Sequence, residues 1–568
     1  MSETGETPDE AVRVRHRRWR EAGLIAVLAL TLNLAGNGQI SLFDRDEPRY
    51  AGCTREMRAR GDWVYPTFNG EPRFHKPILI YWLMRAGFAV GGDNPFGARL
   101  VSAVAGTATC LVVLAMGRRM FGPRAGFLGA LMLASSPIMV IESKLATTDA
   151  TLALWLVGGQ FCLRELSKRP SRRLAAGFWV LMALATLTKG PVGLALIATA
   201  GLASWCCGGS TAAWGRLHWR WGLPLFGVVT APWLVAVGLI SHGEFFRFAL
   251  GKQVGARIVS GVEQHGGFPG YYVLTTLVMF HPWSALLPAA LYGAWSRRRS
   301  DPDFGFLLGW VAGPLALLEC VQTKLVHYYL PAYPACALLA AWLVVAVARD
   351  GVNLTRWPLG RLGLNLLVGV GIGLAVVFVA GAVVFPPALR LPCLTASLVV
   401  GAGTLRGMIR LQRAAAERAA AGLAAAWSVV LLLIFAWVLP AAEPYRLSRV
   451  VGERLALLSD STRVPPILLS FQEPTLVYTM RRPAPMIRTW DQVDQELDRH
   501  GAVVTAMVPK EVPEFERRGM AVDVREVVRG FNLNKGQEQT LRLAVVRRKA
   551  VARVPTSGGR ARVPGPRR

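Results

Sequence analysis

The sequence predicts an α-helical polytopic membrane protein of about 13 transmembrane helices, followed by a small C-terminal α/β domain. Three observations carry that prediction. Apolar runs of about 18 residues or more, long enough to cross a bilayer, recur over the first 440 residues. Basic clusters alternate with those runs in a regular order. After Pro440 the apolar runs stop, and strand and helix patterns alternate at short spacing.

Residues 1–21 are polar, acidic first and then basic (Arg13, Arg15, His16, Arg17, Arg18, Arg20), and read as a cytoplasmic N-terminal segment. The first span follows at 22–38 and is read as retained, because no small-residue cleavage site stands out. Further apolar runs lie at about 97–117, 125–141, 149–166, 174–190, 191–207, 221–240, 271–294, 304–320, 329–348, 363–385, 392–408 and 421–440. Between them stand Arg118-Arg119 with Arg124, Arg164 to Arg173, Arg216 to Arg220, Arg297 to Arg299, Arg349 to Arg361 and Arg406 to Arg418. With the N-terminus inside, every cluster falls on the cytoplasmic side, as the positive-inside bias requires.

That topology turns 39–96, 142–148, the turn near Lys189, 241–270, 321–328, 386–391 and everything after about 441 outward. The transmembrane domain is taken as 22–440 and the extracytoplasmic α/β domain as 441–548. In the latter, RLSRVVGERLALL and WDQVDQELDRH read as helices, PPILLSF and GAVVTAMV as strands, and VDVREVVRGFNL with QTLRLAVVRR as a strand pair. No glycine-rich phosphate loop accompanies them. Residues 549–568 form a basic Gly/Pro tail expected to be disordered.

The net charge of +28 would suggest a nucleic-acid partner in a soluble chain. In a membrane chain it is explained by Lys and Arg collected in cytoplasmic loops, with contact to anionic membrane lipids as a consequence. The eight cysteines contain no CxxC pair, which supports neither a zinc knuckle nor a disulfide framework.

Chemistry is concentrated on the outward face. The stretch from Phe43 to Trp82 is too polar for lipid and too long to be a plain connector, which marks outward loop 39–96 as catalytic. It carries Asp44, Asp46 and Glu47 beside Arg49, Arg55 and Lys76. Helix capping accounts for one acid and the helix dipole for a second, but not for three acids among three cations. Asp149, after Thr147 and Thr148, reads locally as another cap. On the same face as Asp46 it offers a second carboxylate to tune or position the first.

Lys76, Lys189 and Lys324 each stand at an outward membrane edge beside a proline or aromatic residue (HKP, TKGP, TKLVHYY). Snorkelling explains lysines at span ends, yet outward placement runs against the positive-inside bias. Cations at the outer headgroup level suit a phosphate ester, with Arg257 and the Tyr328 hydroxyl as further contacts. His75, His265 and His327 also face outward, without metal-ligand spacing.

The motifs DEPRYA, GDW-YP--NGEPRFHKP--IYWL, GRRMFGPRAG, LATTDA, LTKGPVG, PW-ALLP and TKLVHYYLPAYP, in order over about 40–345, resemble the bacterial aminoarabinose (lipid A) transferase family. That family stands with the protein O-mannosyltransferases in the GT-C fold. FQEPTLVYTMRRP and VRGFNLNKG resemble its periplasmic α/β domain. The resemblance implies an inverting inner-membrane glycosyltransferase that takes a sugar from a polyprenyl-phosphate donor to a lipid or glycan acceptor on the outer face. By motif position it implies Asp46 as the essential acid, with Glu47 beside it, and Asp149 as the second acid. Lys76 matches the family lysine that holds the lipid phosphate, Tyr328 the tyrosine after the late lysine motif, Arg49 a nearby family arginine and Arg257, less closely, a phosphate-binding arginine; Lys324, an outward cation, is counted with them as a donor-phosphate candidate. The family's acid before the lysine (EKP) and its later Glu-His pair, which contribute to a metal site, read here as His75 and Lys252-Gln253. No cofactor is therefore assigned; a divalent metal stays open, with His75 and His265 as its candidates. The alternatives are a protein O-mannosyltransferase-like enzyme, and a lipid flippase or transporter. The latter would place ionisable residues inside spans and repeat itself internally.

Overall fold

The computed structural model describes residues 8–249, 251, 267–532 and 534–549. The chain divides into two compact units, Met1–Pro444 and Tyr445–Arg568.

The first unit is helical. Helix α1 (Pro8–Leu34) begins in the basic segment and runs on through the apolar one. The following loop is more ordered than its polarity suggests. It holds α2 (Asp46–Ala59), a hairpin of β1 (Thr67–Phe68) and β2 (Glu71–Pro72), and α3 (Leu79–Gly91). The hairpin turns on Asn69-Gly70, with φ of 59° and 81°, the left-handed geometry that a two-residue turn demands. The Glu56 carboxylate on α2 accepts the Asn69 backbone N–H and the Thr67 hydroxyl, both at 2.5 Å, and so pins the hairpin to the helix.

Next comes α4 (Pro95–Phe121), opened by the Asn94 side chain, which accepts the Gly97 N–H at 3.0 Å. Helices α5 (Pro123–Ala134) and α6 (Pro137–Ser143) share one apolar run but bend by 61° at Ser135-Ser136. Pro137 has no N–H to continue the ladder. Helices α7 (Asp149–Lys168), α8 (Arg172–Lys189) and α9 (Val192–Cys206) follow. The later long helices are Trp219–Ile240, Pro302–Cys320, Val326–Arg349, Pro358–Val384, Pro387–Gln412 and Ala416–Tyr445. A second bent pair, Tyr271–Met279 with Trp283–Arg297, turns by 119°.

Length and apolarity alone pick out fewer helices than the 13 spans expected. Among the described residues, seven helices are long and apolar enough to cross a membrane, or nine if each bent pair is one span. The runs at 22–38, 149–166, 174–190 and 191–207 form helices that are too charged or too short to qualify alone. The chain is nonetheless a multi-pass membrane protein. In the most apolar stretch of Val326–Arg349, 83% of residues are buried, against 17% in Trp219–Ile240 and in Pro358–Val384. The first is a central helix; the other two present apolar surface outward, as lipid requires.

One close contact organises the unit's middle. Gly305, Gly309 and Gly313 repeat every four residues on Pro302–Cys320, along the face turned to α9 and the turn after it. A methyl on Gly309 would overlap the Ser204 backbone, and one on Gly313 the Thr199 carbonyl. The two helices pack backbone to backbone.

In the second unit, β3 (Ala502–Met507), β4 (Met520–Asn532) and β5 (Gln537–Arg548) form an antiparallel sheet in the order β3-β5-β4. Val503, Met507, Leu497, Phe515 and Val546 form its core against helices Trp490–His500 and Val512–Arg517. The expected strand PPILLSF makes only single bridges, Pro466 to Val504 and Leu468 to Met486. LVYTM lies in helix Pro474–Met480.

Candidate active site

Asp46 and Glu47 open α2 side by side and face different surroundings. Glu47 is buried, with both oxygens committed. Arg99 of α4 donates to them from Nε (2.8 Å) and Nη2 (2.7 Å), the Phe43 N–H binds Oε2 at 2.7 Å, and the Ala146 N–H binds Oε1 at 2.6 Å. Arg99 spends its remaining donors on the carbonyls of Asn37, Ile40 and Ser41. This buried, bidentate pair ties the start of the loop to α4 and to the α6–α7 link. Glu47, expected as a catalytic acid beside Asp46, is thus engaged in this scaffold. Asp46, one residue earlier, is exposed. Its charge acts on Tyr50, on buried Arg73 and on His327.

The second acid stands where several helix ends converge. Asp149 is the first residue of α7, and Lys189, the last of α8, donates to its Oδ1 at 2.5 Å. His327, in the 3-10 turn Val326–Ala332, sets Nε2 3.9 Å from Asp149 Oδ2 and Nδ1 3.9 Å from Glu142 Oε1. Glu142 lies in the last turn of α6. The Lys189 ammonium stands 4.7 Å from the centre of the Tyr328 ring, in range for a cation–π contact. Lys76 is half-buried before α3, and its charge acts on both Asp149 and His327. Asp46, Lys76, Asp149, Lys189, His327 and Tyr328 thus belong to one electrostatic neighbourhood, built from segments up to 282 residues apart in the sequence.

Other candidates go elsewhere. Lys324 is buried, paired with Glu319 and bonded to the Phe268 carbonyl at 3.1 Å. Glu319 also accepts the N–H groups of Gly270 and Tyr272, each at 3.1 Å. Lys324, expected at the donor phosphate, fastens the segment at 268–272 to Pro302–Cys320. Arg55 pairs with Asp93 at 2.7 Å and braces α2 against the entry to α4. Arg49 is half-buried on α2. His75 is exposed, its ring 4.8 Å from Phe248. Arg257, His265 and Lys252-Gln253 lie outside the described residues. Among the described residues, no group of three or more His, Cys, Asp or Glu is arranged to hold a metal ion.

Sequence reasoning missed Glu142, Arg99 and Arg73. For Glu142 a signal existed: a single acid in the apolar run IMVIES. Lys144, two residues on, donates to the Ala35 carbonyl and, at 3.1 Å, to Asn37 Oδ1. Burial, reinforced by the nearby Arg99 charge, pushes its ammonium down to about 7.

Comparison with known proteins finds relatives of the chain as a whole. Residues 75–235 match the family model described as dolichyl-phosphate-mannose-protein mannosyltransferase. The chain is 32% identical over 379 residues to the undecaprenyl phosphate-alpha-4-amino-4-deoxy-L-arabinose arabinosyl transferase 2 of Pseudomonas fluorescens, covering 64% of this chain and 62% of that one. It is 29% identical over 367 residues to the corresponding transferase of Edwardsiella ictaluri, covering 62% and 63%. The chain thus spans less than two thirds of the length of these curated relatives. Among solved structures, ArnT from Cupriavidus metallidurans bound to undecaprenyl phosphate matches with a TM-score of 0.74 at 22% identity, over 93% of this chain and 98% of that one. That match establishes the fold, and with the sequence matches it gives one conclusion: the chain is similar to the bacterial aminoarabinose transferases and shares the fold of ArnT.

Proposed function

We propose that the chain is an integral-membrane glycosyltransferase, moving a sugar from a polyprenyl-phosphate donor to a lipid or glycan acceptor on the outer face of the inner membrane. The observation that carries the reading is the exposed carboxylate of Asp46 beside the Lys76, Asp149–Lys189 and Tyr328 group. In this reading Asp46 takes the proton of the acceptor hydroxyl. The oxygen then displaces the phosphate at the anomeric carbon with inversion. Lys76, with Arg49, Arg257 and Tyr328, meets the negative charge that builds on the leaving polyprenyl phosphate. Asp149, fixed by Lys189, sets the field in which Asp46 and Lys76 work. A relative of the same fold solved with undecaprenyl phosphate supports this donor class. The match to a protein mannosyltransferase model over 75–235 favours a second reading, with a protein hydroxyl as acceptor.

The test is transfer of radiolabelled sugar from polyprenyl phosphate in membranes with and without the protein. Label should leave the carrier lipid only when the protein is present, and mass spectrometry of lipid, glycan and protein fractions identifies the acceptor. Lipid that crosses the membrane with its sugar still attached would overturn the enzyme reading in favour of a flippase.

A further inference from the structure

Glu142 is a buried acid at the foot of the candidate site, and no lysine or arginine among the described residues forms an ion pair with it. Its close titratable neighbour is His327, at 3.9 Å. The charges of Asp149, Lys189 and Glu47 also reach it. The other groups acting on His327 are Asp149, Lys189, Asp46 and Lys76, two acids and two bases whose charges cancel. Tyr328, on the same turn, packs its ring 5.0 Å from the imidazole. What remains unbalanced is the Glu142–His327 couple itself. With no proton, a bare carboxylate would be buried; with two, an imidazolium would stand beside a neutral acid. With one proton the couple is neutral, either as acid and imidazole or as carboxylate and imidazolium. The two groups are also unequally placed, with 28% of the His327 side chain exposed against 5% of Glu142. The histidine is the more exposed of the two and the acid the more deeply buried.

We propose that Glu142 and His327 hold one proton in common and shift it to the more exposed histidine when a phosphate bound beside it gains charge. The proposal rests on the transferase reading above. In transfer, the acceptor O–H bond breaks and its proton goes to Asp46. The acceptor oxygen bonds the anomeric carbon, the anomeric carbon–phosphate oxygen bond breaks, and its electron pair stays on the phosphate. A singly charged diester becomes a monoester able to carry a second charge. The shared proton then moves from the Glu142 carboxyl to His327 Nδ1, leaving an imidazolium toward the phosphate and a carboxylate behind it. Asp46 returns its proton to water, and the shared proton relaxes back when the lipid leaves. The 3.9 Å gap is longer than a hydrogen bond, so the imidazole swings toward Glu142 or one water bridges them. Glu142 is thus a positioning residue acting through His327.

The experiment measures affinity for undecaprenyl phosphate between about pH 6 and 9, a range that spans histidine titration, using wild type, Glu142→Gln, His327→Gln and the double variant. The ionisation of the phosphate itself adds the same slope to every protein. Beyond that slope, wild-type affinity should fall about tenfold as pH rises, the size of one charge-assisted contact. Each single variant should lose that step, and the double variant should lose no more than either, because the couple acts as a unit. Glu142→Asp, which retains the carboxyl, should keep the step at a shifted pH, and it stands in if Glu142→Gln does not fold. Variants that keep the wild-type step, or whose losses add, overturn the proposal. Wild type that binds with the step yet transfers no sugar leaves the proton couple standing and defeats the transferase reading. Wild type that does not bind the lipid at all defeats both.

Discussion

Asp46 and Glu47 share a chemical group and almost nothing else. Residues adjacent on a helix point about a quarter-turn apart, so one carboxylate meets solvent while the other meets Arg99. Their variants should separate accordingly. Asp46→Asn keeps size and removes charge, so turnover should collapse while Tm and donor affinity stay near wild type. Glu47→Gln breaks a buried bidentate pair, a change of about 3–5 kcal/mol, and should lower Tm first, with activity following the folded fraction. Lys76→Ala should instead weaken donor binding by about tenfold to hundredfold, the loss of one charge-assisted contact to phosphate. Near-normal transfer by Asp46→Asn would reduce that residue to a helix-opening acid. Lys144 gives a pH signature. Its ammonium is pushed down to about 7 in the fold, against about 10.4 in an unfolded chain. Between those values the unfolded chain binds more protons, so the stability linked to Lys144 rises with pH across that window and is lowest below it. The Tm difference, wild type minus Lys144→Met, should therefore move in favour of wild type from about pH 7 upward. A flat or falling difference would remove the assignment.

At the scale of elements, the site is made from ends: the start of α2, the start of α7, the last turns of α6 and α8, and a 3-10 turn. This explains which parts of it the sequence made legible. Asp46, Lys76 and Asp149 announce themselves because a charge at the edge of an apolar run contradicts its surroundings. Lys324 sends the same signal and is answered by Glu319, five residues earlier; sequence marks the charge but not its partner. Glu142 sends a weaker signal and was passed over, since one acid in a long apolar run leaves the run intact. Helix α3 was hidden by length, because its 13 residues fall short of a bilayer and were absorbed into the polar loop. Packing contacts are a further case. The glycines at 305, 309 and 313 matter through what lies opposite, and their worth can be measured. Gly309→Ala should wedge α9 away from its partner and lower Tm markedly, whereas Gly373→Ala, with open space around it, should be neutral or slightly stabilising. Equal effects at the two positions would mean the helices do not meet backbone to backbone.

For the whole molecule, the alternation of basic clusters leads us to propose a cytoplasmic N-terminus and an outward-facing unit after Tyr445, with the candidate site on that same outer side. Orientation depends on loop charge and not on whether each helix would insert alone. A reporter fused at Arg548 should be active only outside the cytoplasm, and one fused within 164–173 only inside. Cytoplasmic activity at Arg548 would move the site to the other face and take the polyprenyl-phosphate reading with it.

The Arg99 fork has a bearing on genetics. One guanidinium grips three loop carbonyls and Glu47, while Glu47 in turn holds the link that leads to Asp149. A random screen for inactive alleles would therefore collect changes at Arg99 as readily as at Asp46. A mutational map drawn from phenotype alone would score a girder as if it were a tool. Only alleles recovered with normal protein abundance mark the chemistry, and by that sieve Arg99 should drop out and Asp46 remain.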